Sequence, residues 1–160
     1  MSESEVLRAD REKKRDQLIE NDRDPYPATT HQTHTVAEVL ERFHELTDTP
    51  LTLVGRIMAL REHGAIAFVD LFDGTAKLQV FFSKEFLSDS EFDLFIETMN
   101  VGDFVEVTGH TYVTKRGQNA VAPKSWRVLT KALATIPTEH FGLKEDDDRL
   151  RKRYLEILTN

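Results

Sequence analysis

The chain has 160 residues, of which 39% are hydrophobic and 31% are charged, and its formal net charge is −7. This length fits one domain of ordinary size with appendages. The acidic balance argues against a general polyanion binder, although a local basic patch could still contact RNA. The chain has no cysteine, which excludes disulfides and thiolate metal sites, and its histidines lack carboxylates at metal-ligand spacing. We expect a cytoplasmic protein without a membrane segment, because no apolar run approaches about 20 residues and the charged N-terminus is unlike a signal peptide.

Two helices are predicted at the start of the chain. A highly charged helix covers residues 2 to about 23, and Ser2 and Glu5 have the spacing of a capping box. Its thin apolar stripe favours a solvated helix over a basic arm laid against RNA or a partner subunit. A second helix is predicted from Thr35 and Glu38, a second capping box, because apolar residues follow at helical spacing.

Five strand-like stretches follow, with a helix at about residues 88–99 between the third and the fourth. The strands are predicted at residues 51–61, in both arms of a hairpin over 65–82, and at 104–114 and 119–129, with a bulge or barrel corner near Gly55 and an edge or bulge near Pro123. This order is that of an oligonucleotide/oligosaccharide-binding (OB) barrel. We therefore predict a mainly β fold with flanking helices (α+β), in which residues 50–130 form a five-stranded OB barrel and residues 1–49 form a helical extension in front of it.

The hairpin over residues 65–82 turns at Asp73-Gly74, a pair that favours tight turns. Alternation places Ala67, Val69 and Leu71 on one face of the first arm and Leu78, Val80 and Phe82 on one face of the second. Phe68 and Gln79 point the opposite way, where a ring can stack on a base and an amide can hydrogen-bond its edge. The ligand face of OB barrels includes strands two and three and the loop between strands four and five, which here is Lys115-Arg116-Gly117. The alternative is that Phe68 and Phe81 pack beneath a helix or a neighbouring domain.

Residues 131–160 are predicted as a linker, over 131–144, and the start of a helix, over 145–160. The first turn of this helix is acidic at residues 146–148, as suits the helix dipole. Its apolar residues find no obvious partner inside a small barrel. We therefore expect this segment to lead to a second domain that the 160 residues do not contain.

Several stretches of the sequence resemble class II lysyl-tRNA synthetases. The stretches that resemble the anticodon-binding OB domain of that family are Gly55-Arg56-Ile57-Met58-Ala59-Leu60-Arg61, Ala67-Phe68-Val69-Asp70-Leu71-Phe72-Asp73-Gly74 and Leu78-Gln79-Val80. Those that resemble its linker and the approach to its catalytic core are Leu129-Thr130-Lys131-Ala132-Leu133, His140-Phe141-Gly142-Leu143-Lys144 and the last ten residues from Arg151. The barrel stretches would be shared with aspartyl and asparaginyl relatives, whereas the later stretches favour lysyl.

The resemblance implies roles in RNA binding for residues at matching positions. Phe68 would stack on the central uridine of the lysine anticodon, and Gln79 and Arg61 would hydrogen-bond that base or its neighbour. Lys115 and Arg116 would lie beside the first base of the anticodon or its phosphates. These roles agree with the way unpaired bases are read, by stacking and by hydrogen bonds to their edges.

The sequence also departs from the family at four positions. Ala67 stands where the family usually has Ser, Phe72 where it has Gln, Gln118 where it has Glu, and Leu150 where it has Tyr. Gln118 could still hydrogen-bond a base, but only as a neutral group. The exchange at position 150 is expected to affect packing only.

The resemblance further implies that the whole enzyme attaches lysine to its tRNA using ATP and Mg²⁺ and is a homodimer. The 160 residues themselves are expected to bind the anticodon loop of tRNA, to hold no cofactor and to lack catalytic residues. Two other functions are compatible with the sequence: a generic single-strand-binding OB module, and an interaction or dimerisation domain whose aromatic face meets protein. A free-standing single-strand binder would usually carry a broader basic groove than this acidic chain offers.

Overall fold

The computed structural model of the protein describes residues 1–135 together with residues 151, 153 and 154. Its elements are α1 (Glu3–Glu20), α2 (Val36–Glu41), β1 (Leu51–His63), β2 (Ile66–Phe72), β3 (Lys77–Ser83), α3 (Asp89–Thr98), β4 (Phe104–Val113) and β5 (Asn119–Thr130). The strands close a barrel in the order β1-β2-β3-β5-β4. This confirms the predicted five-stranded barrel, with two helices before it and one between β3 and β4. The linker from residue 136 and most of the helix predicted over 145–160 lie outside the described residues.

The helices begin where the sequence places their caps. Ser2 and Glu5 form a complete capping box at α1, and Thr35 and Glu38 form another at α2. At α3 the Ser88 hydroxyl accepts a hydrogen bond from a backbone N–H of the first turn. The helix α2 is shorter than the apolar spacing suggested, because the chain continues in turns after residue 41 while later apolar side chains remain buried.

The core fills the barrel with the inward side chains of the strands, and α3 packs against them. The Phe95 ring of α3 stacks on Phe82 at a centroid distance of 4.0 Å and meets the edge of Trp126 at 5.1 Å. The Trp126 Nε1–H donates to the carbonyl of Glu91 at 3.1 Å, which satisfies the one polar atom of that indole. The helix therefore covers apolar side chains of the barrel that water would otherwise reach.

The strand β1 pairs with two neighbours in succession. Residues 51–56 pair with β4, and residues 56–63 pair with β2. Gly55 lies at the change of partner, where a Cβ atom would come within 2.8 Å of the Phe72 carbonyl oxygen. Gly55 is therefore a point of close approach between strands. The pairing shows no bulge at this residue.

A bulge in β1 lies further along the strand than the sequence suggested. The register with β2 shifts between Ile57 and Ala59, so that Met58 has no partner and the residues after it change faces. Leu60 stands opposite Val69 and packs against the core, and Ala59 stands opposite an outward-facing aspartate. Ala59 therefore faces outward, although unbroken alternation along β1 would place it on the inward face of Ile57.

The second predicted irregularity is confirmed at Pro123. Gly109 of β4 stands opposite Pro123, while Thr108 stands opposite Ser125, which leaves Lys124 as an extra residue. A proline cannot donate a ladder hydrogen bond, so a bulge is a compatible place for it. A Cβ atom at Gly109 would lie 2.0 Å from the Ala122 carbonyl oxygen, and the backbones can approach this closely only because the residue is glycine.

The turn between β2 and β3 is fixed to α2. Gly74 has φ +92°, as the predicted Asp-Gly turn requires. Asp73 accepts hydrogen bonds from the Thr75 N–H at 2.8 Å and from the Val36 N–H at 2.8 Å. Burial raises the pKa of Asp73, but hydrogen bonds from Thr75, Val36 and Ala76 outweigh this effect and leave the pKa below its ordinary value. One carboxylate thus holds both the hairpin turn and the first turn of a helix.

This arrangement predicts an acid-dependent loss of stability. A carboxyl group with a lowered folded pKa contributes stability above its unfolded pKa, about 4 for aspartate, and loses it as the pH falls through the folded value. We expect Asp73→Asn to make the decline of the free energy of unfolding below about pH 4 shallower than in the wild type, as measured by urea titration at several pH values. Asp48→Asn, at an exposed position, is the control. Parallel pH curves for wild type and Asp73→Asn would contradict the assignment.

The helix α1 is solvated along most of its length, as predicted, and two of its residues are buried. Exposed pairs one turn apart join Arg8 to Glu12 at 3.0 Å and Lys14 to Asp10 at 3.2 Å. Arg11 and Leu18 are buried. Arg11 donates to the carbonyls of residues 101 and 132 at 3.0 and 3.2 Å, so α1 is tied to the end of the barrel where β4 begins and β5 ends.

Candidate nucleic-acid interface

The six residues predicted to contact RNA line one open cleft on the outside of the barrel. The cleft has a volume of ≈ 1310 Å³, and the predicted residues along it are Arg61, Phe68, Gln79, Lys115, Arg116 and Gln118. Pockets for small molecules usually measure about 300–1,000 Å³. A cleft of this size and openness suits a segment of a polymer better than a small metabolite.

The Phe68 ring lies on the outer face of β2, half-buried in a small aromatic cluster. Its centroid is 5.4 Å from that of Phe81 on β3, and Phe81 stacks on Tyr112 of β4 at 4.9 Å with the ring planes 4° apart. Phe81 is 9% exposed, so it has little free surface for a ligand. Phe81 therefore supports the ring of Phe68. Of the two rings, Phe68 is the one with exposed surface that a ligand could contact.

Gln79 lies beside this ring on the same outer face. Direct pairing places Phe68 opposite Phe81 and Asp70 opposite Gln79, so Phe68 and Gln79 are diagonal neighbours. Within the described part of the chain, the buried Oε1 atom of Gln79 has no hydrogen-bond partner. A buried acceptor without a partner costs about 1–3 kcal/mol, so a rotation of the amide that brings it to a donor on a ligand would be favoured.

Arg61 faces the cleft because of the bulge at residue 58. It stands directly opposite Phe68, and its Nη2 atom lies 3.6 Å from the Asp70 carboxylate. The Arg61 side chain is 55% exposed, so the ion pair is weak and part of the guanidinium remains open to a ligand while it lies beside Asp70. The register of β1 after the bulge thus places Arg61 on the same face as Phe68.

The loop between β4 and β5 forms the opposite wall of the cleft. It is a tight turn in which the Gly117 N–H donates to the Thr114 carbonyl at 2.8 Å, and Gly117 has φ +82°. Lys115, Arg116 and Gln118 are exposed on it. Parallel pairing of β3 with β5, Gln79 with Ala120, brings this loop next to the hairpin face.

The electrostatics of the cleft differ from those of the whole chain. Four lysine or arginine residues and only two acids line it, whereas the chain carries a net charge of −7. An anionic ligand therefore meets a locally favourable surface on an acidic protein. Among the residues the structure describes, no group of three or more His, Cys, Asp or Glu side chains could hold a metal ion. No helix in the described part is long and apolar enough to cross a membrane.

The lining residues that were not singled out from the sequence include Asp70, Lys77 and Tyr112. Asp70 and Lys77 share the outward parity of Phe68 and Gln79, a signal that was present in the alternation. Tyr112 reaches the cleft through its stack on Phe81, and no local pattern indicates a contact between β4 and β3. The strand alternation could have found the first two residues, and the third depends on closure of the barrel.

Comparison with known proteins agrees with this geometry. Residues 51–129 match the family model of the OB-fold nucleic acid binding domain, named tRNA_anti-codon. The barrel is an OB-fold nucleic acid binding domain. The match starts with the first residue of β1 and ends one residue before the end of β5, so the OB domain and the barrel coincide.

The relatives of this chain include lysine–tRNA ligases. The chain is 34% identical to lysine–tRNA ligase 2 of Methanosarcina acetivorans over 89% of its length and 29% of that protein. It is 32% identical to the lysine–tRNA ligase of Dehalococcoides mccartyi over 98% of its length and 32% of that protein, and 33% identical to that of Bacillus subtilis over 94% and 31%. The resemblance to the lysyl family is thus confirmed, and the aspartyl or asparaginyl alternative is not favoured. The chain spans about a third of the length of these relatives.

Proposed function

We propose that this chain is the anticodon-binding part of a lysine–tRNA ligase and that its cleft reads unpaired bases of the lysine anticodon loop. The observation that carries the proposal is the half-buried Phe68 ring beside the unpartnered Gln79 amide, on the face of an OB domain. Stacking on the ring holds a base of any sequence, and the amide distinguishes one base edge from another. Arg61, Lys115, Arg116 and Gln118 supply further donors and positive charge around that position.

We propose that the whole protein attaches lysine to its tRNA with ATP and Mg²⁺, acts as a homodimer and works in the cytoplasm. The similarity to lysine–tRNA ligases over about a third of their length supports the first part. The division into residues 1–49, 50–130 and 131–160, with a catalytic domain after the last of these, belongs to the same proposal. The 160 residues alone are proposed to bind RNA without activating lysine.

The proposal is tested by competition between two hairpin RNAs. One carries the lysine anticodon, and the other differs only in having cytidine at the central position of the anticodon. We expect the uridine hairpin to bind about 5- to 150-fold more tightly in fluorescence anisotropy, since an unsatisfied polar contact costs about 1–3 kcal/mol and 1.4 kcal/mol is a factor of ten. Equal binding of both hairpins would indicate a generic single-strand binder, and binding of neither would indicate a protein-interaction module.

A further inference from the structure

The outer face of the hairpin carries a second cation–aromatic arrangement besides the one in the cleft. Arg61 stands directly opposite Phe68 at the cleft. Four residues further along β2, Phe72 stands opposite Arg56 of β1 on one side and Lys77 of β3 on the other. Directly paired residues of antiparallel strands point to the same face, so Arg56, Phe72 and Lys77 form one row, here called the distal row.

The side chains of the distal row have unused binding capacity. Phe72 is 41% exposed, and Lys77 is exposed beside it. The Arg56 guanidinium lies 4.7 Å from the centroid of the Phe104 ring, and its buried Nε has no hydrogen-bond partner. Among the described residues no acid forms an ion pair with Arg56 or Lys77. A planar cation stacked on one ring and adjacent to a second, exposed ring is suited to contact a phosphate while a base covers the exposed ring.

The distal row is continuous with the cleft. Phe68 and Phe72 are four residues apart on one strand, or about 13 Å. Asp70 and Gln79 lie between them, and Arg61 at 3.6 Å from Asp70 offsets the negative charge of that carboxylate. Lys77 itself reaches the cleft. A strand of RNA leaving the Phe68 position along β2 would therefore meet the distal row without crossing an unpaired acid.

We propose that the distal row binds one nucleotide of the tRNA next to the bases read in the cleft, with Phe72 stacking on its base and Arg56 and Lys77 contacting phosphate. This inference rests on the proposed function and extends it. The contact is independent of base identity, because a ring face and two cations provide no hydrogen-bond pattern for a base edge. Phe72 stands where the lysyl-tRNA synthetase family usually has Gln. The stacking contact would therefore be specific to this chain and not shared by the family.

The test is a set of variants titrated with the lysine-anticodon hairpin and its central-cytidine counterpart at several salt concentrations. Phe72→Gln should weaken binding of both hairpins by about 5- to 150-fold, the effect of losing one stacked base. Arg56→Met and Lys77→Met should each lower the slope of log K against log salt by about 0.7, the value for one phosphate of a single strand. None of the three should change the preference for uridine. Arg8→Met, an exposed arginine of α1 that pairs with Glu12, is the matched control and should change nothing.

The outcomes separate this inference from the proposed function. If the uridine hairpin is preferred but the Phe72 and Arg56 variants bind like wild type, the distal row does not contact RNA and the proposed function stands. If the wild type binds neither hairpin, both proposals are overturned. If Phe72→Gln instead abolishes self-association in sedimentation while RNA affinity is unchanged, the row is a protein contact and the inference is wrong. Phe72→Tyr retains the ring and should restore affinity, which excludes an effect through folding.

Discussion

Replacing Asp103 by asparagine should lower the free energy of unfolding by about 3–5 kcal/mol, the range for breaking a buried ion pair by removing one partner. Both side chains of the pair, Asp103 and Lys131, have no exposed surface. The Lys131 Nζ donates to Asp103 Oδ2 at 2.5 Å and to Asn100 Oδ1 at 2.9 Å. Without the carboxylate, the buried ammonium would have only neutral acceptors and no countercharge.

The same carboxylate joins parts of the chain that are distant in sequence. Asp103 Oδ1 accepts from the Ala132 N–H at 2.8 Å and lies 3.8 Å from the Arg11 guanidinium. The Tyr26 hydroxyl donates to the Lys131 carbonyl at 2.9 Å, and the Lys131 N–H donates to the Pro25 carbonyl at 3.2 Å. The ion pair therefore holds α1 and the segment after it against the point where the chain leaves the barrel.

The charge of Lys131 gives the prediction a second measurement. Burial lowers the pKa of Lys131, and the Asp103 carboxylate opposes that shift. In Asp103→Asn the opposing charge is lost, so the pKa of Lys131 should fall further. Urea denaturation measures the stability, and the 15N or 13C chemical shift of the Lys131 side chain during a pH titration measures the pKa.

Two controls define this result. Asp93→Asn removes one partner of a surface pair, in which Lys84 lies 3.1 Å from a carboxylate that is 53% exposed, and should cost less than about 1 kcal/mol. The double variant Asp103→Asn with Lys131→Met removes both charges and should recover much of the lost stability, because a buried pair is often replaceable by apolar groups. An effect of Asp103→Asn no larger than that of Asp93→Asn would show that the buried pair is not an important contact.

Replacing Phe68 by alanine should weaken binding of the lysine-anticodon hairpin by about 1–3 kcal/mol, or roughly 5- to 150-fold, while the domain stays folded. The ring lies outside the barrel and is half-buried, so its removal leaves no cavity in the main core. Removal of a core phenylalanine typically costs about 3–5 kcal/mol of stability, and we expect a smaller loss here. Anisotropy titration measures the first effect and thermal unfolding the second.

The conservative variant and a core variant make this prediction specific. Phe68→Trp keeps a face for stacking and should retain most of the affinity. Phe82→Ala removes a ring of the main core and should reduce stability without a direct loss of an RNA contact. If Phe68→Ala unfolds the domain as readily as Phe82→Ala does, the ring belongs to the core and the assignment of the cleft is wrong. If it binds RNA like the wild type, the base is held elsewhere.

Local patterns predicted the elements and the outer face of the hairpin correctly. The capping boxes at Ser2 and Thr35 mark helix starts, because a side chain within three residues satisfies the free N–H groups. The Asp73-Gly74 turn and the period of two placed Phe68 and Gln79 together, because both depend only on neighbours in the same hairpin. The element order alone was enough to identify the barrel.

Contacts between distant segments could not be predicted in the same way. From the sequence, Arg11 is one of many charged residues on a helix predicted to be solvated. In the structure it is buried and donates hydrogen bonds to the carbonyls of residues 101 and 132. The support of Phe81 by Tyr112 likewise depends on a contact between β3 and β4, which are separated by β5 in the barrel. Neither interaction leaves a periodic signal, since the partners are far apart along the chain.

The sequence by itself determined the strands, the caps, the hairpin turn and the inward or outward parity within each regular stretch, because these follow from interactions a few residues long. Only the tertiary structure decided that Arg61 faces the cleft, because a single unpaired residue, Met58, reverses parity and its position depends on how β1 changes partner from β4 to β2. Closure of the barrel through β3 and β5 then brought the loop carrying Lys115 and Gln118 beside Gln79. Alternation along a strand predicts which face a side chain points to only until a bulge shifts the register. The position of that bulge depends on the pairing between strands.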